Sequence, residues 1–326
     1  SKLEHLHTFK NVPASMACTS QNPVEDISMD QIWDICKNTG MIQLRNLFPL
    51  DVVYKFAHND AIGIDWETHN KNFMDVICSM NVKNVIEIGS GSGKLGKLYL
   101  SKKVGKWTGL EPNHDYTEVN IPNFTHSREW FDNEYKFKDG YDAVVHSNVF
   151  EHIYDPVSFL NNIHSKMDSN ALHIFSVPNL YKSLGEKFTN QLNFEHTAFL
   201  TEEIIDILLK RSGFDFDKVY NKGLPAIFYI CKKSQPENIS FPESIYNKNK
   251  TVFSNFVEFY KEEIDRLNKK INQFDGKVYL FGAHIFSQFL IYNGLNIDRI
   301  ECILDNSPMK QGNRLYGTSF NVCSPK

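Results

Sequence analysis

Between about residues 65 and 234 the apolar and polar positions alternate between strand-like and helix-like runs. Asn84-Val-Ile-Glu-Ile88 is a short β-branched run of the kind a strand buried on both faces requires, and it leads straight into Gly89-Ser-Gly91-Ser-Gly93. The helix expected over Lys94–Ser101 then offers its first free N–H groups to whatever the glycines admit. Further apolar runs stand at Trp107–Glu111, Asn123–His126, Tyr141–Asn148 and Leu172–Asn179. Helices are expected over Asp65–Met80, up to Lys166 after Pro156, and over Thr201–Arg211, where Gly213 is placed to end the last one. Phe216–Tyr220 and Ile227–Cys231 read as a closing antiparallel hairpin. The fold class implied is α/β, with a Rossmann-like sheet of seven strands.

The flanks are patterned differently. Ser1 to about Gly40 is irregular, Phe48–Tyr54 reads as a short helix, and a polar loop follows through His58, Asn59 and Asp60 to Gly63. Phe253, Phe256, Tyr260, Ile264, Leu267 and Ile271 recur at helical spacing, so Thr251–Phe274 is expected to be a linker helix. Gly276 to His284 then starts a second strand-glycine-helix unit, which Ile300–Leu304 completes as βαβ. Ser324-Pro325 is an N-cap followed by an N1 proline, so this last domain is expected to be truncated. The expected segments are an N-terminal lobe and helical lead (1–64), a central domain (65–234), a linker with a helix (235–275) and a C-terminal α/β half-domain (276–326).

Composition narrows the classes. A chain of 326 residues is long enough for two domains, and 41% hydrophobic with 23% charged residues is globular. A formal charge of −4 gives no basic excess for phosphate binding, so no nucleic-acid partner is expected. The six cysteines lack paired spacing, which points to reduced thiols and a cytoplasmic protein. No apolar run approaches bilayer length and no charged-then-apolar leader opens the chain, so no membrane partner is expected.

The glycine loop has three chemical readings. A P-loop is excluded, because Ile88 stands where its first glycine should be and Leu95 where its Ser/Thr should follow Lys94. Gly91-Ser-Gly93-Lys-Leu-Gly96 fits GxGxxG, the fingerprint of a nicotinamide enzyme. With Glu87 two places ahead of Gly89-x-Gly91-x-Gly93, the stretch also resembles motif I of the class I S-adenosylmethionine (SAM) methyltransferases. That resemblance implies a loop backing the methionine part of SAM, with Glu87 towards its cationic end. Glu111, about 20 residues on, would suit the ribose hydroxyls of either cofactor. What separates the two is the apolar strand after Asp142 with its exit at Asn148, then Glu151-His152-x-x-Asp155-Pro156 and Phe159-Leu160, which resembles the segment after motif I in methyltransferases. Trp130, next to Phe131, stands where that fold often borders the adenine, although such an aromatic pair is also ordinary core.

Two further stretches narrow the resemblance to the sugar C-methyltransferase family. Cys36-x-x-Thr39-Gly40 resembles the end of that family's zinc-ribbon lobe with one cysteine lost, and with only Cys18 before it no zinc is expected. Asn193-x-Glu195-His196 resembles the family's active-site motif. The family then implies His196 and Glu195 in proton removal with Asn193 in the same motif, and His58, Asn59 and Asp60 against the substrate; His152 could orient His196 or act in its place. It also implies a nucleotide-linked sugar acceptor and S-adenosylhomocysteine as product; the C-terminal domain either walls the substrate cleft and receives the nucleotide or is a structural half-domain that forms a homodimer. A nicotinamide-dependent sugar oxidoreductase and a catalytically silent SAM-binding scaffold are the alternatives.

Overall fold

A computed structural model describes residues 2–16, 18–53, 63–113, 119–137 and 140–326. His58, Asn59 and Asp60 therefore lie outside the described residues. The chain forms two compact units, one of Ala57–Lys182 with Ala198–Pro242, the other of Ser1–Phe56, Ser183–Thr197 and Glu243–Lys326.

The first unit runs α1 (Ile64–Ser79), β1 (Asn84–Ile88), α2 (Lys94–Lys102), β2 (Lys106–Leu110), β3 (Phe124–Ser127), β4 (Ala143–Ser147), α3 (Pro156–Lys166), β5 (Leu172–Pro178), α4 (Glu202–Arg211), β6 (Phe214–Tyr220) and β7 (Ala226–Lys233). Its sheet has seven strands in the order β6-β7-β5-β4-β1-β2-β3. β1 pairs in parallel with β2 on one side (Ile86↔Thr108) and β4 on the other (Ile86↔Val144), while β7 runs antiparallel to β5 and β6. Phe73, Met74 and Ile77 of α1 pack with Val85, Trp107, Val145 and Phe228 on one face. Asp155 caps α3 by accepting from Ser158 N at 3.0 Å ahead of an N1 proline, which is the physical content of the Asp-Pro half of its motif. Among the described residues no helix joins β3 to β4. Phe131, Tyr135, Phe137 and Tyr141 pack ring to ring there instead, with Phe131 stacked on Phe137 at 5.4 Å.

In the second unit the irregular reading of the N-terminal segment is corrected. Leu3–Pro13 and Ser28–Cys36 are antiparallel strands, and Ile42–Leu44 continues the pairing. The longer strand hid because its burial pattern has only two fully buried positions, Phe9 and Val12, and its register is broken by bulges. The Cys36-x-x-Thr39-Gly40 turn is closed by hydrogen bonds. Gly40 N donates to Cys36 O at 2.8 Å, Met41 N to Thr39 Oγ1 at 3.2 Å, and Asn249 Nδ2 to Gly40 O at 2.9 Å. Gly40 is left-handed (φ 70°), and a Cβ there would lie 2.6 Å from Tyr246 N.

The linker helix is longer than its spacing indicates, Glu243–Gln273, with Phe253, Phe256, Tyr260 and Ile264 buried. The βαβ unit is present as Val278–Phe281, Ile285–Tyr292 and Ile300–Leu304, and Val322–Cys323 adds a third parallel strand. The two ends of the chain fold together. Arg314 makes a bidentate ion pair with Asp26 (Nη1–Oδ2 2.6 Å, Nη2–Oδ1 2.7 Å), and Gln288 Nε2 donates to Ser15 O and Tyr316 O. Among the described residues no helix is long and apolar enough to cross a membrane.

Between β4 and β5 lies a buried histidine pair, one from each strand, with His146 Nε2 and His173 Nε2 2.9 Å apart. Cross-strand register stacks His146 on Phe175 (4.9 Å) and Phe175 on Tyr229 (4.9 Å). Burial holds both imidazoles neutral, His173 down to about 3 and His146 well below its usual range. The unfolded chain therefore binds protons below about pH 6.5 that the native state does not, so stability falls as pH falls through that value. We expect a loss of about 2 kcal/mol per histidine between about pH 6.5 and 5, read by urea unfolding, and a reduced slope in a His146→Leu/His173→Leu variant.

Candidate active site

In a sheet of this order, β1 and β4 are neighbours whose chains leave in opposite directions, so a crevice opens at their carboxyl ends. Three glycines on the β1 side are left-handed, Gly89 (φ 68°), Gly91 (φ 51°) and Gly93 (φ 73°). A Cβ on Gly89 would lie 2.7 Å from Val149 Cγ2, and one on Gly93 2.5 Å from Val119 Cγ2. Backbone bonds keep the loop in place, with Gly89 N and Ser90 N both donating to Leu110 O. Gly96 serves the fold, since a Cβ there would meet Phe124 Cε2 at 2.3 Å and Trp107 Cδ1 at 2.5 Å.

Glu111 stands at the end of β2 and braces the loop. Its Oε2 accepts from Gly91 N at 2.8 Å and its Oε1 from Asn113 N at 2.9 Å. Each oxygen keeps a second lone pair, so the carboxylate can still accept from a ligand's hydroxyl groups. Glu87 is buried in β1, where Trp107 Nε1 donates to its Oε2 at 2.8 Å. Burial, with Glu111 adding to it, pushes the Glu87 carboxyl up to about 8. Ser90 Oγ is buried without a hydrogen-bond partner. A loop closed to side chains, a carboxylate with spare acceptor capacity and a buried carboxyl that a nearby cation would ionise together fit an adenosyl sulfonium cofactor.

On the β4 side Asn148 is also left-handed (φ 52°), and its N–H donates to Ser176 O at 3.1 Å. His152 follows in a short 3-10 turn, Phe150–His152. Glu151 of that turn is a candidate that the sequence reading did not single out. It is buried, its Oε2 has no hydrogen-bond partner, and burial raises it to about 8. Its only signal in the sequence was its place in the Glu-His-x-x-Asp-Pro run. Trp130 is 60% exposed, whereas Phe131 belongs to the aromatic cluster beside β4.

In the other unit Asn193, Glu195 and His196 form one turn. Asn193 Oδ1 accepts from Glu195 N (2.7 Å) and His196 N (3.0 Å), so Asn193 shapes the turn through an Asx bond. His196 Nδ1 lies 3.3 Å from Gln191 O, an acceptor only, which puts the proton on Nδ1 and makes Nε2 the basic nitrogen. Glu195 is buried and pushed up to about 8 by desolvation. It lines a small cavity with Val12, Pro13, Phe194, Ile285 and Gln288.

Residues 69–219 match a family model described as "Methyltransferase domain". No curated protein matches the chain. Among solved structures the chain is similar to one in a Haloferax volcanii complex that includes the Trm112 methyltransferase activator (14% identity, TM-score 0.44, 52% of this chain and 90% of that one). It is also similar to the methyltransferase domain of bacterial CtHen1 (18%, TM-score 0.42, 51% and 98%). A third is human N-acetylserotonin methyltransferase in complex with SAM (15%, TM-score 0.43, 52% and 53%).

The raised Glu87 carboxyl has a measurable consequence. The anion that favours a sulfonium forms as pH rises through about 8, so SAM affinity should rise with pH more than that of S-adenosylhomocysteine, which lacks the sulfonium charge. We expect the ratio of the two affinities to grow about tenfold between about pH 7 and 9, measured by calorimetry, and to stay flat in Glu87→Gln.

Proposed function

We propose that this chain, a SAM-dependent methyltransferase whose methyltransferase domain spans residues 69–219, acts on a nucleotide-activated sugar in surface-polysaccharide or glycoside assembly. The observation that carries the reading is the Asn193-Phe194-Glu195-His196 turn, where one asparagine oxygen holds the backbone of an adjacent Glu-His pair. The βαβ domain following the linker helix supports it, because its Ile285 and Gln288 line one small cavity with Glu195.

Bound SAM supplies a methyl carbon already activated by its sulfonium. What remains for the protein is to align the acceptor and remove one proton. His196 takes that proton at Nε2, since Gln191 O holds Nδ1–H. Glu195, raised to about 8 by burial, is a second candidate, and His152 a third, at the exit of β4. The same base serves transfer to an enolate carbon or to a hydroxyl oxygen. Glu87, the glycines at 89, 91 and 93, Glu111 and Asn148 form the cofactor side, and the exposed Trp130 is the candidate cover for the adenine.

The test incubates the protein with SAM and a panel of nucleotide-linked sugars and follows the products by mass spectrometry. One methyl gained by one sugar is the expected result, and no transfer to any member of the panel would overturn the sugar reading. In His196→Ala we expect turnover to fall by about 100-fold or more with SAM affinity retained. Undiminished turnover would remove His196 as the base.

A further inference from the structure

The methyltransferase unit holds a buried polar network that none of the roles above uses. His69, on α1, is buried edge-on to Phe228 with ring centroids 5.5 Å apart. Both its nitrogens are nevertheless engaged. Nε2 lies 3.1 Å from Ser147 Oγ and 3.2 Å from Ser176 Oγ, and Nδ1 lies 3.4 Å from Asn221 Nδ2. Asn221 Oδ1 in turn accepts from Asn72 Nδ2 at 2.7 Å. This order sets the tautomer. Asn221 presents its N–H to Nδ1, so the imidazole proton sits on Nε2 and points at the serines. Desolvation lowers the group to about 4, so it stays neutral at physiological pH and acts as a donor, not as a base.

All of this converges on the exit of β4. Ser147 is the last residue of β4 and pairs in register with Ser176 of β5. Asn148 comes next, held left-handed with its N–H on Ser176 O. Asparagine adopts this conformation more readily than other non-glycine residues, and the bond to Ser176 O holds it there. Val149 follows, and its Cγ2 occupies the space that a side chain on Gly89 would need. The grip on two serines is therefore two residues from a contact with the glycine loop itself.

We propose that His69 is a positioning residue for the cofactor crevice, setting the exit of β4, and with it Asn148 and Val149, against the glycine loop through Ser147 and Ser176. The inference rests on that loop binding SAM. It differs from a purely structural role in that cofactor affinity depends on the donor at Nε2 even where the fold is fully populated.

The experiment compares wild type, His69→Phe, His69→Gln and Ser147→Ala by calorimetric titration with SAM and with S-adenosylhomocysteine, well below the melting temperature of each. Phe keeps the ring and removes the donor, whereas Gln returns an N–H near the Nε2 position. We expect His69→Phe to bind both ligands about tenfold more weakly, His69→Gln to stay within about twofold of wild type, and Ser147→Ala to lose about threefold with little change in melting temperature. Unchanged affinity in a folded His69→Phe, or equal losses in Phe and Gln, would overturn the inference. If His69→Phe does not fold, Ser147→Ala decides, and wild-type affinity there overturns it. A wild-type protein that binds neither ligand instead overturns the cofactor reading, and the inference with it.

Discussion

Parallel pairing of β1 with β2 on one side and β4 on the other is the constraint on which the rest of the methyltransferase unit depends. Parallel strands need crossovers on the sheet faces, so a strand with both neighbours parallel is buried on both sides and must be apolar. Every residue of β1 after Asn84 is buried, including Glu87. The same topology sends the chain away from β1 and β4 in opposite directions, and the carboxyl ends of those strands are left to a ligand. Glycines on one side and a left-handed asparagine on the other line that opening.

Burial of ionisable groups is the second theme. Glu87, Glu151 and Glu195 are each raised to about 8, in every case with desolvation as the largest cause. Holding a carboxyl neutral in an apolar setting costs stability, and proteins retain such groups where a charge arrives or a proton moves. Glu87 has the clearest physical account, because Trp107 satisfies one oxygen and a cationic ligand would favour its anion. His69, His146 and His173 are the opposite case, imidazoles kept neutral by burial. Of the three, His69 places its Nε2 against the hydroxyls of Ser147 and Ser176.

The other unit depends on contacts distant in sequence. Strands near the N-terminus and the βαβ domain near residue 300 share one body, tied by the Asp26–Arg314 ion pair and by Gln288 on the carbonyls of Ser15 and Tyr316. The Cys36-x-x-Thr39-Gly40 turn keeps its shape through hydrogen bonds in which Thr39 takes part.

The central sheet was legible in the sequence to within a residue or two per strand, because strands buried on both faces must be short apolar runs and glycines must mark the turn. The positions of Glu87, the three glycines and Glu111 were legible for the same local reason. The Leu3–Pro13 strand was not, since a half-exposed, bulged strand carries little periodicity. Nor were Trp107 as the partner of Glu87, Asn193 as the brace of its own turn, or the His69 network, which joins residues 69, 72, 147, 176 and 221. Local pattern reports which face of an element is buried. Which polar atoms meet inside depends on register and packing between segments far apart in the chain, and only the tertiary structure decides that.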